Sequence, residues 1–501
     1  MRTVDENGRD VETQWQELLA FVLVAQPRAL AAVEAGVWTR LLAVGRALIG
    51  LYFARQAARP RASPYKHEGV AYDLQGTTTT EIGTRFGKVE FTRAVGRPVG
   101  KRPGRGRRDL PVDRELGVTA GFSLPVTMVI ARFCAQMAFG MARATFQSVF
   151  EWAPCSRTVL RIVDSVGKQA SDFLAQAPAP EHDGEILVIQ ADAKGIPMIS
   201  SAEYRRRRES RKAPGHATKR RARRLRRRDV PRRRRKPGDK TKNAKMAVVG
   251  VIYTLRRQPD GTLDGPINKR VIATFGTHRA LFKLLRREAD KRGYGSKRTA
   301  FLADGAKTLW KLQEEFFPAA EGCIDWFHTV EKLHTCAECV HPHDLKTRAA
   351  WIDEQTRLLR RRGAGPVIEN LGIAFDAIPK TGPGTKTRRA RLLRTRKHLL
   401  DHMQHMRYAQ FRRDDLDIGT GAAEGAVRNV AGMRLDGPGM RWSRDRAQRV
   451  LHLRCILLNG QWRDFERYVE GRAETDALRL AARPKPTVPH DAVSKTLKKA
   501  A

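Results

Sequence analysis

Negative charge is scarce in this sequence. Against 95 Lys and Arg stand only 53 Asp and Glu, so the 501 residues carry a formal net charge of +42. That excess goes far beyond what solubility requires and excludes a protein with no polyanionic partner. Nucleic acid is the default partner, because each basic side chain that meets a phosphate releases condensed counterions. Long charge-free apolar runs are missing too. The longest apolar stretch, Leu116 to Ala142, is interrupted by Gly121, Pro125, Arg132 and Gly140, so buried helices and no membrane partner are expected there. Asp5, Glu6, Asp10 and Glu12 stand where a secretory signal would place bases and an apolar run, which argues against export. Cysteine is sparse, with six residues at 134, 155, 323, 336, 339 and 455, a pattern that suits a reducing, cytoplasmic setting, and a nucleic-acid partner would make it nucleoid-associated. No fixed-period repeat is present, which sets aside solenoids and propellers.

What is there is organised in blocks. Residues 12–60 read as amphipathic helices, either an oligomerisation or DNA-end-binding arm or a packed lid. From Thr77 to Val99 apolar and polar residues alternate, and Gly87 sits where a hairpin could turn. The stretch KRPGRGRRDLP that follows has the content of a phosphate-tracking loop. A helix over 141–152 stops at Ala153-Pro154-Cys155, and Ser156 is placed to cap a second helix with Val159, Ile162, Val163 and Val166 on one face. Arg157, Arg161 and Lys168 then point outward. A capped basic helix after a tight turn is the shape of a helix-turn-helix DNA reader, and ordinary helix packing gives the same pattern.

The character changes at Gly184. GEILVIQAD (184–192) is an apolar run too short for a helix and reads as a buried strand ending on Asp192. The arginine-rich arm at 205–245, beginning with Arg205, Arg206, Arg207 and Arg208, holds more charge than a core accepts and is expected to wrap nucleic acid without folding. Strands follow at 244–255 and 270–276, with turns at Pro259-Asp260-Gly261 and Asp264-Gly265. Next come a helix at 279–291, a strand TAFLAD closing on Asp304, a helix bearing Leu309, Leu312 and Phe316, and a short strand CIDWFH. Residues 329–415 read as basic helices, and Gly419-Thr420-Gly421 opens a last helix holding Glu424.

Cleaving or joining a phosphodiester calls for an activated oxygen nucleophile and neutralisation of the leaving alkoxide. Two divalent ions about 3.5–4 Å apart supply both, and hard Mg²⁺ prefers carboxylate oxygens. Asp192 and Asp304 on strand ends, with Glu424 from a helix, make such a site. Among 53 acids some triad can always be drawn, and an acid at a strand end is often a turn former, so the residues alone leave both readings open.

The blocks ADAKGIPM (191–198), AKMAVVGVIYT (244–254), LADGA (302–306), DWFH (325–328), GTGAAEGAVRN (419–429) and GMRWS (439–443) resemble those of bacterial insertion-sequence transposases of the ISKra family, and more distantly the Mutator-like group. The resemblance covers about residues 185–470. It implies an α/β ribonuclease-H-like catalytic core, a mixed five-stranded sheet with an all-helical insertion, preceded by a helical and helix-turn-helix region. It makes Asp192, Asp304 and Glu424 the catalytic acids and ligands of two Mg²⁺ or Mn²⁺ ions, with Asp325 and His328 as an accessory Asp-x-x-His signature. The partners it implies are double-stranded transposon ends and target DNA, with a homo-oligomer as the working form. Ala193 departs from the glycine usual after the first acid.

Three further features carry weaker readings. His334, Cys336, Cys339, His341 and His343 have zinc-like spacing within a predicted helix. Trp442 beside Arg441 could stack on an unpaired base or pack in a core. A helix-turn-helix regulator without catalysis would explain the charge equally well. The expected domains are an N-terminal helical arm (1–76), a β element with a basic loop (77–115), a helix-turn-helix region (116–180), the first part of the core (181–328), a helical insertion (329–415), the final core helix (416–470) and a basic tail (471–501).

Overall fold

The computed structural model describes residues 4–24, 26–100, 108–118, 121–212 and 244–481. They fall into two compact units, one running to Phe173 and resuming at Gln461, the other spanning Leu174–Gly460. The last helix, Trp462–Ala481, thus belongs with the first unit, although the sequence blocks put residues up to 470 in the core.

In the first unit, helices Val4–Val22 and Leu30–Ala57 precede an antiparallel sheet of β1 (Tyr65–His67), β2 (Val70–Thr84) and β3 (Gly87–Pro98). Phe53 of the second helix packs with Ile82, Val89, Phe91 and Val112 in a closed apolar cluster. The hairpin turns at Arg85-Phe86. Thr84 pairs with Gly87, whose φ of 121° lies where only glycine is unstrained, and the Thr84 hydroxyl donates to the Gly87 carbonyl at 2.8 Å. β2 begins at Val70, earlier than the alternation indicated, because β1 extends the pairing. The stretch 116–142 contributes the helix Leu124–Gln136, buried at Val126, Met128, Ile130 and Cys134. Among the described residues the helix long and apolar enough to cross a membrane is instead Leu30–Ala57, by length and composition.

The second unit is mixed α/β, built on a five-stranded sheet in the order β6-β5-β4-β7-β8. These strands are β4 (Ile186–Pro197), β5 (Ala244–Arg257), β6 (Leu263–Thr274), β7 (Arg298–Ala303) and β8 (Glu321–Ile324). β4–β5 and β5–β6 pair antiparallel, β4–β7 and β7–β8 parallel. Buried on both faces, the central strands read as continuous apolar runs: Ile186, Leu187, Val188 and Ile189, then Val248, Val249, Val251 and Ile252.

Local chemistry sets several helix starts. The Thr277 hydroxyl accepts from Ala280 N at the head of His278–Lys291, and Asp344 accepts from Lys346 N and Thr347 N before Leu345–Arg362. The helices Trp326–Val340, Leu345–Arg362, Ala364–Ala377 and Thr385–His402 pack on one another.

The structure corrects four sequence expectations here. β4 does not end at Asp192 but runs on to Pro197, because β5 continues to pair with it after β7 has stopped. Asp264-Gly265 lies inside β6, which reaches Leu263 through register shifts against β5. β8 ends at Ile324, and Asp325 to His328 begin a helix instead of completing a strand. The arginine-rich arm starts as a helix, Ser201–Lys212, while its stretch 213–243 lies outside the described residues.

Candidate active site

Parallel pairing of β4 with β7 sets Ala191 opposite Ala303, so the next residues, Asp192 and Asp304, stand side by side where that ladder stops. Asp192 is half-buried, and one of its carboxylate oxygens accepts a 2.6 Å hydrogen bond from the N–H of Ala193, a bond any residue there could donate. Burial pushes its carboxyl above the usual range. The charges of Asp304 and Glu424 push it further, against the opposing pull of the Ala193 N–H and of His328. Asp304 accepts from Ala306 N at 2.9 Å, and its carbonyl accepts from the Trp310 indole at 2.8 Å.

Glu424 arrives on the helix Gly421–Val427, which continues through a π-helical turn, Arg428–Gly432. Exposed at that point, its carboxylate accepts from the Thr420 hydroxyl at 3.2 Å and lies 3.9 Å from His328 Nδ1. Asp325, His328 and Glu424 offer oxygen and nitrogen atoms within 4.8 Å of one another, so His328 stands closer to Glu424 than the sequence conveyed.

Asp325 is completely buried and its carboxylate is fully engaged. One oxygen accepts from His328 N at 2.9 Å, capping the helix Trp326–Val340, and stands 3.5 Å from His328 Nδ1. The other accepts from Thr420 N at 2.8 Å and from the Thr420 hydroxyl. Burial alone would raise this carboxyl, but the bonds from His328 and Thr420 outweigh it and bring the group down to about 2. In return, the hydrogen bond to Asp325 lifts His328 to about 9 against the cost of burial, helped by the charges of Asp325, Glu424 and Asp304.

Sequence reading missed Gln190 and Thr420. Gln190 is buried in β4, two residues before Asp192; its amide N–H₂ donates to Tyr253 Oη at 3.2 Å and to the Gly419 carbonyl at 3.4 Å. Its carbonyl accepts from Ala423 N at 3.0 Å, so one side chain ties the strand of Asp192 to the helix of Glu424. The signal was present: a glutamine inside ILVIQAD is a buried polar group that must find partners.

The remaining predicted residues divide. Arg157, Arg161 and Lys168 are exposed on the helix Ser156–Gln176, as its apolar stripe indicated. The cap is not Ser156 but Cys155, whose carbonyl accepts from Thr158 N and Val159 N. Arg205, Arg206 and Arg207 are exposed, with Arg207 paired to Glu203; the side chain of Arg208 lies outside the described residues. Arg441 is exposed and donates to the Met440 carbonyl. Trp442 cannot stack on a base. It is buried, its indole donates to the Leu435 carbonyl at 2.8 Å, and the Arg434 guanidinium covers its ring. The zinc-like cluster is not assembled either: Cys336 and Cys339 are buried, while His334 is exposed on another face of the same helix and His343 is exposed beyond its end at Val340. Burial also pushes the Cys336 thiol up to about 11.

No protein-family model and no curated protein matches this chain. Neither comparison supports the ISKra assignment, which rests on the sequence blocks alone. Among solved structures the chain is similar to the Drosophila P element transposase strand transfer complex, with a TM-score of 0.25 and 10% identity over 70% of this chain and 82% of that one. At that score the likeness carries no argument.

Proposed function

We propose that this chain is a DNA transposase of the acidic-triad kind, acting through Asp192, Asp304 and Glu424 on a ribonuclease-H-like core. The observation that carries the reading is the convergence of three acids from separate elements. Asp192 and Asp304 are neighbours on parallel strands, and both Asp304 and Glu424 act on the titration of Asp192. Numbered within the sheet, the strand order is three-two-one-four-five with the second strand antiparallel, the arrangement expected of such a core.

The donor set fits hard divalent cations. Three carboxylates crowded together repel one another, and the upward shift of Asp192, driven first by burial, is increased by Asp304 and Glu424. Asp192, Asp304 and Glu424 would hold two Mg²⁺ or Mn²⁺ ions, which when bound supply activation of the attacking oxygen and neutralisation of the leaving one. The chain's own groups do the rest. His328, protonated below about pH 9, sets a positive charge beside Glu424 that attracts a phosphate, while Asp325 fixes its ring. Arg157, Arg161 and Lys168 would grip transposon ends, and the arm at 205–245 would bind phosphates along the duplex without regard to sequence.

The test uses the duplexes that flank the reading frame. The full chain with Mg²⁺ or Mn²⁺ should nick one flank at a defined phosphodiester and join the freed 3′ end to a second duplex. Sequence-selective binding with no metal-dependent cleavage would replace this reading with that of a helix-turn-helix regulator. Cleavage without joining would leave a nuclease on the same core.

A further inference from the structure

The helix Leu30–Ala57 is apolar on nearly every face, and a helix of that kind is normally covered all round. One face is covered by the first helix, where Phe21 packs on Gly36 and Asn7 on Gly50. Another presents Phe53 to the sheet cluster. The remaining face carries Glu34, Trp38, Leu41, Gly45, Leu48, Tyr52 and Arg55, at alternating spacings of four and three residues. That spacing is the seam along which one helix pairs with another. Phe86 lies over Gly45 and fills the one gap in it. Trp38, Leu41, Leu48, Tyr52 and Phe86 are all 39–50% exposed. The Trp38 indole already donates to the Val149 carbonyl at 3.1 Å, so its ring is held in place before any partner arrives.

We propose that this seam is the surface on which a second copy of the chain docks, helix against helix and antiparallel about a two-fold axis at Gly45. The pattern is self-complementary in that direction alone. Antiparallel pairing sets Trp38 against Tyr52 of the second copy, Leu41 against its Leu48, and Glu34 against its Arg55, each contact occurring twice as a two-fold interface demands. Parallel pairing would set Glu34 on Glu34 and Arg55 on Arg55. Both of these residues are exposed, so the ion pairs close the two ends of the apolar seam. The seam from Glu34 to Arg55 is about 32 Å long at the helical rise of 1.5 Å. Beside Tyr52 lies an open apolar recess of about 530 Å³ lined by Ile49, Phe86, Leu116 and Val118, where the incoming Trp38 would settle. A membrane is the poorer occupant, because two faces of the helix are already packed on protein and opposite charges end the third.

Sedimentation equilibrium of the full chain over a wide concentration range tests the pairing, and a dimer is expected. Leu41→Asp with Leu48→Asp should raise its dissociation constant by at least about a hundredfold without changing thermal unfolding of the monomer. Glu34→Arg alone and Arg55→Glu alone should each weaken the dimer several-fold, and the two together should restore it. Cysteines at 38 and 52 in one chain should give a covalent dimer on oxidation. The proposal is overturned by a wild-type chain that stays monomeric, by a dimer indifferent to the Leu→Asp pair, by a charge swap that fails to rescue, or by flotation with phosphatidylcholine vesicles that depends on Leu41 and Leu48.

Discussion

Asp192 and Asp325 belong to one acidic cluster, yet their surroundings are opposite. Asp325 is wholly buried with both oxygens occupied by N–H and O–H donors, and its carboxyl sits at about 2. Asp192 is half-buried, accepts from the N–H of its own neighbour, and is pushed upward by burial and by two other acids. A carboxylate with its hydrogen bonds satisfied serves the fold; one raised by burial and then by neighbouring acids has an unmet demand for positive charge. The first anchors the loop that delivers Glu424, and the second is the group on which the proposed cleavage depends.

The sharpest way to break this comparison is to remove each charge in turn. Asp192→Asn should cut strand cleavage by at least about a thousandfold while leaving chemical denaturation unchanged or moving it to higher denaturant. Asp304→Asn and Glu424→Gln should match it, since the proposed mechanism has the three acids act as a unit. A marked loss of stability in Asp192→Asn would show that this carboxylate holds the fold after all.

The reverse outcome is expected at Asp325. Its replacement by Ala strands His328 N, Thr420 N and the Thr420 hydroxyl, and should cost about 3 kcal/mol in urea unfolding. Gln190→Leu should cost about 2 kcal/mol, since it leaves Ala423 N without its partner, whereas the Tyr253 hydroxyl still donates to Asp417 at 3.1 Å. Cleavage by that variant should need more Mg²⁺ for half-maximal rate while DNA-end binding holds. An unaltered Mg²⁺ dependence would mean that Gln190 packs the sheet without positioning Glu424.

The smallest effect is a pH dependence. His328 rises from an ordinary 6.5 to about 9 in the folded chain, so its contribution is fully present below pH 6.5 and is lost as pH climbs through 9. Asp325 behaves in the opposite sense: its contribution is present above an ordinary carboxyl value of 3.8 and disappears as pH falls through about 2. Stability of the metal-free chain should therefore decline modestly between pH 6.5 and 9, and His328→Gln should flatten that decline in thermal melts. The slope is modest because His328 is nearly half exposed, so solvent screens its interactions.

Much of this was legible in the residues. The three central strands announce themselves because a sheet covered on both faces tolerates little but apolar side chains, and ILVI, AVVGVI and TAFLA are such runs. Acids placed just after two of them named the candidate cluster. Asp264-Gly265 inside β6 and the length of β4 were not readable, because each depends on which strand continues to pair; Cys155 as the cap turns on which backbone carbonyl accepts from Thr158 N and Val159 N. The repeat at Trp38, Leu41, Leu48 and Tyr52 is written in the chain, but only the packing of Phe21 and Asn7 on the other side of that helix shows that this face is left open. Trp442 and the Cys336–Cys339 pair teach the same lesson: residue type names the chemistry available, while burial, set by contacts distant in sequence, decides whether it meets solvent. Local pattern thus determined the strands, the outward bases and the acids, since these follow from short-range periodicity and charge. Tertiary structure decided which polar groups were satisfied, because Gln190, Asp325 and Thr420 meet their partners only after residues some hundred to more than two hundred positions apart are brought together.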